Sequence, residues 1–237
     1  MNVIKVIYLN KWPRATIRER LSKSYSEKVH VTLHAEFDVE RIKELKDKLT
    51  SLIQEKYGAR LTYTAIFVKL VAHVLRKHID FNAVVEEDEV KVIDDININV
   101  AVQSEKLGLV TPVIRNVDKK TLGTIAVELN DVVDRAREGK LTIRDMKDGT
   151  FTITNFGMLG SVDAFTPIIN PPQVAILGIG RIIDKPMVID GQIAIRPTCT
   201  FSLTFDHVVI DGYQAAEFLA TLKNMIDNPM DAMGELI

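Results

Sequence analysis

Cysteine occurs once in the 237 residues, as Cys199. A single thiol excludes an internal disulfide framework and any site with several cysteine ligands. On a stretch rich in β-branched residues it reads as a small buried apolar side chain. A basic surplus is also missing: 30 Lys and Arg stand against 32 Asp and Glu, a formal net charge of -2. The electrostatic footprint of a nucleic-acid binder is therefore absent. No apolar run reaches the roughly 20 residues that span a membrane as a helix. Residues 1–12 lack the basic start, apolar middle and small-residue cleavage site of a signal peptide. The chain is expected to be cytoplasmic, or to be a matured protein of the mitochondrial matrix. Low-complexity stretches, internal repeats and Pro/Gly/Ser linkers are lacking as well, so residues 1–237 are expected to form one domain. What remains, 46% hydrophobic and 26% charged residues, is ordinary for a soluble globular protein.

The patterning predicts a short strand over Val3–Leu9 and a helix over Trp12–Ser24, with Pro13 suited to its first turn. His30–Asp38 alternates as a strand. Asp38 then caps a helix over Val39–Tyr57, whose apolar residues Ile42, Leu45, Leu49 and Ile53 recur at three- and four-residue steps. Thr62–His78 is apolar on most sides and reads as a buried helix. Ile96–Val102 and Leu109–Ile114 are expected strands. Asp118 is expected to cap a third long helix that ends at Gly139. The last third changes character: Thr150–Thr154, Val174–Ile183 and Thr198–Phe205 read as strands, and Asp211–Asp227 as a final helix. Strands and helices interleave without strict alternation. The expected class is α/β in the broad α+β sense, a mixed sheet covered by helices.

Five histidines carry the candidate chemistry. His30 and His34 stand four apart, a chelating distance on a helix, but Val31, Thr32 and Leu33 between them favour a strand. His73 and His78 fall in the buried helix and read as structural. His207 differs, because it lies between a strand and a helix in the run Phe205-Asp206-His207-Val208-Val209-Ile210-Asp211-Gly212. A rigid strand can hold a base there while the loop exposes it, and histidine's near-neutral pKa suits proton transfer from a thiol. Taken alone, H-x-x-x-D-G describes a buried structural histidine equally well. Thr150, Thr152 and Thr154 share one face of their strand. They offer hydroxyls that could stabilise an oxyanion, or form an ordinary Thr-rich face.

Four segments in order, Gly108–Ile114, Gly149–Gly160, Pro167–Gly178 and Asp206–Gly212, resemble the catalytic domain of the dihydrolipoamide acyltransferases of 2-oxoacid dehydrogenase complexes. The resemblance covers nearly the whole chain and implies a chloramphenicol-acetyltransferase-like fold. It implies His207 as general base, Thr154 as the hydroxyl that stabilises the oxyanion, and Asp211 as a third catalytic position whose structural ion-pair partner is Arg14. It places Asn155, Gly178, Gly180 and Ile182 beside coenzyme A, the glycines allowing close backbone approach. The other substrate is a lipoyl group carried on a lipoyl domain outside this chain, and no metal is implied. The implied assembly is a homotrimer with each active site between subunits, joined into a cage through the apolar C-terminus at Met233–Ile237. Implied partners are the 2-oxoacid decarboxylase and dihydrolipoamide dehydrogenase components, with no nucleic acid and no membrane. Neither the lipoyl domain nor the small partner-binding domain of full-length members fits before Met1, which implies an excised core or a maturation product.

One residue departs from the family pattern: Val208 stands where arginine usually follows the histidine, which implies that a local ion pair is lost. Gly178-Ile179-Gly180-Arg181-Ile182 resembles the acetyl and branched-chain types. Two other readings stay open, a stand-alone acetyltransferase of the chloramphenicol type and a core scaffold without catalysis.

Overall fold

The computed structural model describes Tyr8, Lys11 and residues 13–230. The expected strand over Val3–Leu9 and the C-terminal Met233–Ile237 lie outside the described residues, apart from Tyr8. Five α-helices are described: α1 Arg14–Glu27, α2 Glu40–Tyr57, α3 Tyr63–Lys77, α4 Leu122–Glu138 and α5 Gly212–Asp227. The strands are β1 His30–Asp38, β2 Ala83–Glu86, β3 Glu89–Val92, β4 Ile98–Val100, β5 Val102–Ser104, β6 Gly108–Val110, β7 Val113–Ile114, β8 Phe151–Asn155, β9 Ala175–Ile189 and β10 Gln192–Asp206. Six of them form one sheet in the order β1-β10-β9-β8-β4-β7. The pairs β4–β8 and β8–β9 are parallel and the others antiparallel. This is the mixed sheet the interleaving predicted.

Strand β10 shows why the sheet has two unlike faces. Phe201, Leu203 and Phe205 are buried among the apolar residues of α2, α3 and α5. Ser202, Thr204 and Asp206 alternate with them and are just as buried, as period-two geometry requires. The first set faces the helices. The second faces α1 and the segment 156–173, which lie on the opposite side. There Ser24 in α1 donates to the Ile169 carbonyl (2.6 Å), and Arg20 donates to the Pro171 carbonyl (2.9 Å). Buried polar groups must be partnered, and here they pair across strands: Thr32 with Thr204 (2.7 Å) and the His34 Nδ1 with Ser202 (2.9 Å). His30 and His34 thus stand on a strand, as expected, and among the described residues no group of three or more metal-ligating side chains occurs.

Several local expectations are altered by non-local partners. Thr121, not Asp118, caps α4, its hydroxyl accepting from the Thr124 N–H (3.2 Å). Asp118 instead takes a hydrogen bond from Arg76 in α3 (2.6 Å). The strand expected over Ile96–Val102 breaks at Ala101, whose N–H turns to the Ile153 carbonyl. Beyond it β5 pairs with β6 in a separate ribbon. Strands β9 and β10 run 15 residues each, well past the expected ends, and beyond Thr198 they form a two-stranded ribbon outside the main sheet. Val188 faces Ile193 and Pro186 faces Ile195 on one side of that ribbon, and Val188, Ile193 and Ile195 are exposed. Gly139 ends α4 in the left-handed region (φ 74°), as predicted.

His73 and His78 have imidazole pKa values held below the usual histidine range, with burial the leading cause for each. The unfolded chain therefore binds more protons than the folded one. The stability tied to the neutral rings is present above about pH 6.5 and is lost as pH falls through that value toward the folded pKa. Urea unfolding midpoints are expected to fall between pH 7.5 and 5, and the fall should be shallower for His73→Gln. Equal slopes for the two proteins would remove His73 from the effect.

Candidate active site

His207 follows the last residue of β10 and is exposed. Its turn is built by the preceding residue. The Asp206 carboxylate is buried and accepts from the Val29 N–H and the Val208 N–H (3.2 Å each), and it pairs with Lys28 Nζ at 3.3 Å. Both partners of that ion pair are more than nine-tenths buried. The His207 N–H donates to the Val29 carbonyl (2.8 Å). On the far side of the turn Asp211 is the N-cap of α5, in a reciprocal capping box with Gln214. His207 is thus held on both sides by its turn while its side chain stays exposed. The turn has an ion pair after all, although Val208 forgoes the one expected of arginine. Lys28 and Asp206 were not singled out from the sequence. Asp206 adjoins the histidine, which is a signal of a kind, but Lys28 gives none.

Arg14 does not meet Asp211. Lys28, next to the C-terminal end of α1, anchors the His207 turn, while Pro13 and Ile17 at the other end lie against Gly108. A helix of 14 residues separates the two ends by roughly 20 Å. Among the described residues Arg14 forms no ion pair, and the Asp211 carboxylate is occupied in capping.

Thr154 stands on β8 beside its two sister threonines, yet it differs from them. The Thr150 hydroxyl donates to Asn82 Oδ1 and the Thr152 hydroxyl to Gln173 Oε1, each at 2.5 Å. Thr154 is only partly buried, and among the described residues its hydroxyl has no hydrogen-bond partner. Register places it opposite Gly178 on β9, and Gly178 opposite Ser202 on β10. His207 lies five residues beyond Ser202 and two strands away from Thr154. The two groups are therefore on the order of 20 Å apart within one chain, and the fold does not bring them together.

The residues expected beside coenzyme A have closer neighbours in their own chain. A Cβ on Gly178 would stand 2.8 Å from Phe165 Cζ, and one on Gly180 would stand 1.9 Å from the Asp163 carbonyl oxygen. The close approach that these glycines permit is that of segment 156–173. Ile182 packs on the hydrophobic core. Asn155 closes a turn by accepting from the Gly157 N–H (2.7 Å), and it donates to Thr64 (3.1 Å). Phe165 itself, stacked edge-on against Phe156 at 4.8 Å, was not singled out from the sequence.

A cleft of about 650 Å³ is lined by Asn97, Asn99, Thr150, Asn170 and Gln173 among others, but by neither His207 nor Thr154. Its amides are mutually bonded, Gln173 donating to Asn99 Oδ1 (2.7 Å) and to the Gly149 carbonyl (2.8 Å). This network anchors the end of segment 156–173. Cys199 offers no nucleophile, since burial pushes its thiol up to about 12 and only a thiolate attacks.

The model of the 2-oxoacid dehydrogenases acyltransferase (catalytic domain) family matches residues 6–234. The chain belongs to that family. Among its relatives, the Haemophilus influenzae dihydrolipoyllysine-residue succinyltransferase component of the 2-oxoglutarate dehydrogenase complex is 35% identical over 94% of this chain and 54% of its own length. The acyltransferase chain thus spans about half the length of the curated relatives it matches. A structure of Azotobacter vinelandii dihydrolipoamide acetyltransferase, studied for the role of one serine, one histidine and one asparagine in its catalytic mechanism, superposes with a TM-score of 0.91 at 31% identity, covering 98% and 94% of the two chains. The cubic core of a pyruvate dehydrogenase multienzyme complex superposes equally well, at 30% identity and the same coverage. A chloramphenicol acetyltransferase, 14% identical with a TM-score of 0.57 over 94% and 99% of the two chains, shares the fold alone. An acetyl or branched-chain group was expected from the sequence. The curated relatives from Haemophilus influenzae, Escherichia coli and Pseudomonas aeruginosa are all named as succinyltransferase components, which speaks against that expectation, while the superposed structure is named an acetyltransferase.

Removing one partner of a buried ion pair costs about 3–5 kcal/mol. Lys28→Met is expected to lose stability on that scale in urea unfolding and to speed hydrogen exchange at the Val208 amide. Unchanged exchange would mean that the ion pair does not hold the turn.

Proposed function

We propose that this domain transfers an acyl group between a dihydrolipoyl thiol and the thiol of coenzyme A, at a site completed by two chains of a homotrimer. The observation that carries this is the separation of two chemically ready groups. His207 is exposed on a clamped turn and Thr154 holds an uncommitted hydroxyl, yet one chain keeps them on the order of 20 Å apart. A second chain can supply the missing half to each. The exposed apolar face of the β9–β10 ribbon supports association, because contiguous exposed apolar surface of this kind marks an interface.

In the proposed step, the thiol of coenzyme A gives its proton to the His207 imidazole and the sulfur attacks the carbonyl of S-acyldihydrolipoamide. The tetrahedral oxyanion accepts a hydrogen bond from the Thr154 hydroxyl of the adjoining chain. Collapse breaks the carbon–sulfur bond to the lipoyl arm, whose sulfur takes the proton back from His207. The reverse direction uses the same groups. Asp211 acts as a positioning residue by fixing the start of α5, and Asp206 and Lys28 do the same for the other side of the turn. The lipoyl arm belongs to a domain outside this chain. The 2-oxoacid decarboxylase and dihydrolipoamide dehydrogenase components are the proposed partners, with a cage like the relative's cubic core as the proposed assembly.

His207→Ala is expected to lower kcat with dihydrolipoamide and an acyl-CoA by about 10²–10⁴-fold, and Thr154→Val by about 10²–10³-fold. Undiminished transfer by His207→Ala would remove His207 as the base, and no transfer by the native protein would leave a core scaffold without catalysis. Co-refolding the two inactive variants should restore part of the activity, because mixed trimers contain interfaces where both native groups meet. Absence of restoration in mixed trimers confirmed by mass would sink the two-chain site.

A further inference from the structure

We infer that two apolar patches of this chain mate head-to-tail between copies: a collar around His207, made by Val29, Val208 and Tyr213, receives the tip formed by Phe156, Met158 and Leu159 of a second copy. The inference rests on the two-chain transfer site proposed above and names the surfaces that build it. The collar follows from the turn that carries the base. Of the three apolar residues after His207, Val209 and Ile210 pack on the core, while Val208 is 74% exposed. Val29, whose carbonyl accepts from the His207 N–H, is exposed as well. Tyr213 opens α5 on the face opposite the buried Ala215, Phe218, Leu219 and Leu222, and it is 75% exposed. Helical side chains lean toward the helix N-terminus, which directs this side chain toward the His207 turn.

The tip lies at the other half of the site. Strand β8 ends one residue after Thr154, and a short 3₁₀ turn over Gly157–Leu159 follows. A Cβ on Gly157 would stand 2.8 Å from the Gly180 carbonyl oxygen, so the turn is held close to β9 at that point. Gly160 then swings the chain away in the left-handed region (φ 67°). Met158 and Leu159, between the two glycines, are left outside, Met158 at 82% exposure. Phe156 is exposed beside them, and residues 156–162 carry no charge. An exposed apolar surface of this kind marks a partner. Collar and tip cannot meet within one chain, because the groups they adjoin are on the order of 20 Å apart. Like-to-like contact would cover each patch but leave His207 away from Thr154. Collar on tip brings the base of one copy to the hydroxyl of the next. Each chain carries one of each, so the contact is heterologous, and every patch is covered only when the ring closes. The tip then also shields the base from water.

Cross-linking reads this contact directly, because the chain's own Cys199 is buried and thiols added at the surface react in its place. The whole chain, in its assembled state, is treated with a short bis-maleimide. Tyr213→Cys together with Met158→Cys is expected to give covalent species that end at three chains, and either substitution alone to give none. Val208→Cys together with Leu159→Cys is a second pair, read in the same way if the first does not assemble. Cross-linking by a single substitution would overturn the inference, since a patch would then be meeting itself. So would the absence of cross-links from both pairs in assembled protein, or a ladder that runs past three chains. Transfer to dihydrolipoamide from acetyl- and succinyl-CoA is measured on the native protein alongside. Missing cross-links with transfer intact strike the mated patches alone. No transfer from either donor strikes the reaction, and the cross-links still decide the contact.

Discussion

Gly178 holds the middle of a row that runs Thr154, Gly178, Ser202, His34 across four strands, and its missing side chain lets segment 156–173 lie down on the sheet. Any Cβ there would displace Phe165, and one at Gly180 would strike the backbone of Asp163. With that segment lifted, Ser202 and Thr204 would face water and Ser24 would lose its carbonyl partner. The layer that hides the second face of the sheet depends on two hydrogen atoms where side chains would otherwise be.

The two faces are stabilised by different physics. The helix side is held by burial of Phe201, Leu203, Phe205 and their neighbours, which is non-directional and tolerant of detail. The other side buries hydroxyls, amides and imidazoles, and each must find a partner at the right distance and angle. Thr152 with Gln173, Gln173 with Asn99 and His34 with Ser202 meet that demand. Thr154, on the same face, does not take part. A hydroxyl left uncommitted in so fully bonded a layer is available to something outside the chain.

Helices were legible because periodicity and capping are local. The stripe Ile42, Leu45, Leu49, Ile53 and the stop at Gly139 read directly from the residues and stand where expected. Asp118 misled because it and Thr121 are both good caps, and the choice was made by Arg76, more than 40 residues away. The glycines of β9 were legible as places of close approach but not as to what approaches, since Asp163 and Phe165 reach them through a loop with no periodic pattern. His207 and Thr154 were found through motifs, and their distance from each other follows only from strand register. Lys28 was invisible for the same reason, its carboxylate partner lying 178 residues further along.

The separation of base and hydroxyl along β10 has a kinetic corollary. On the proposed reading no isolated chain possesses a complete site, so turnover per chain reports the fraction of chains in contact. Diluting the enzyme below the dissociation constant of its subunits would then silence it without unfolding a single domain, and raising its concentration would switch it on again.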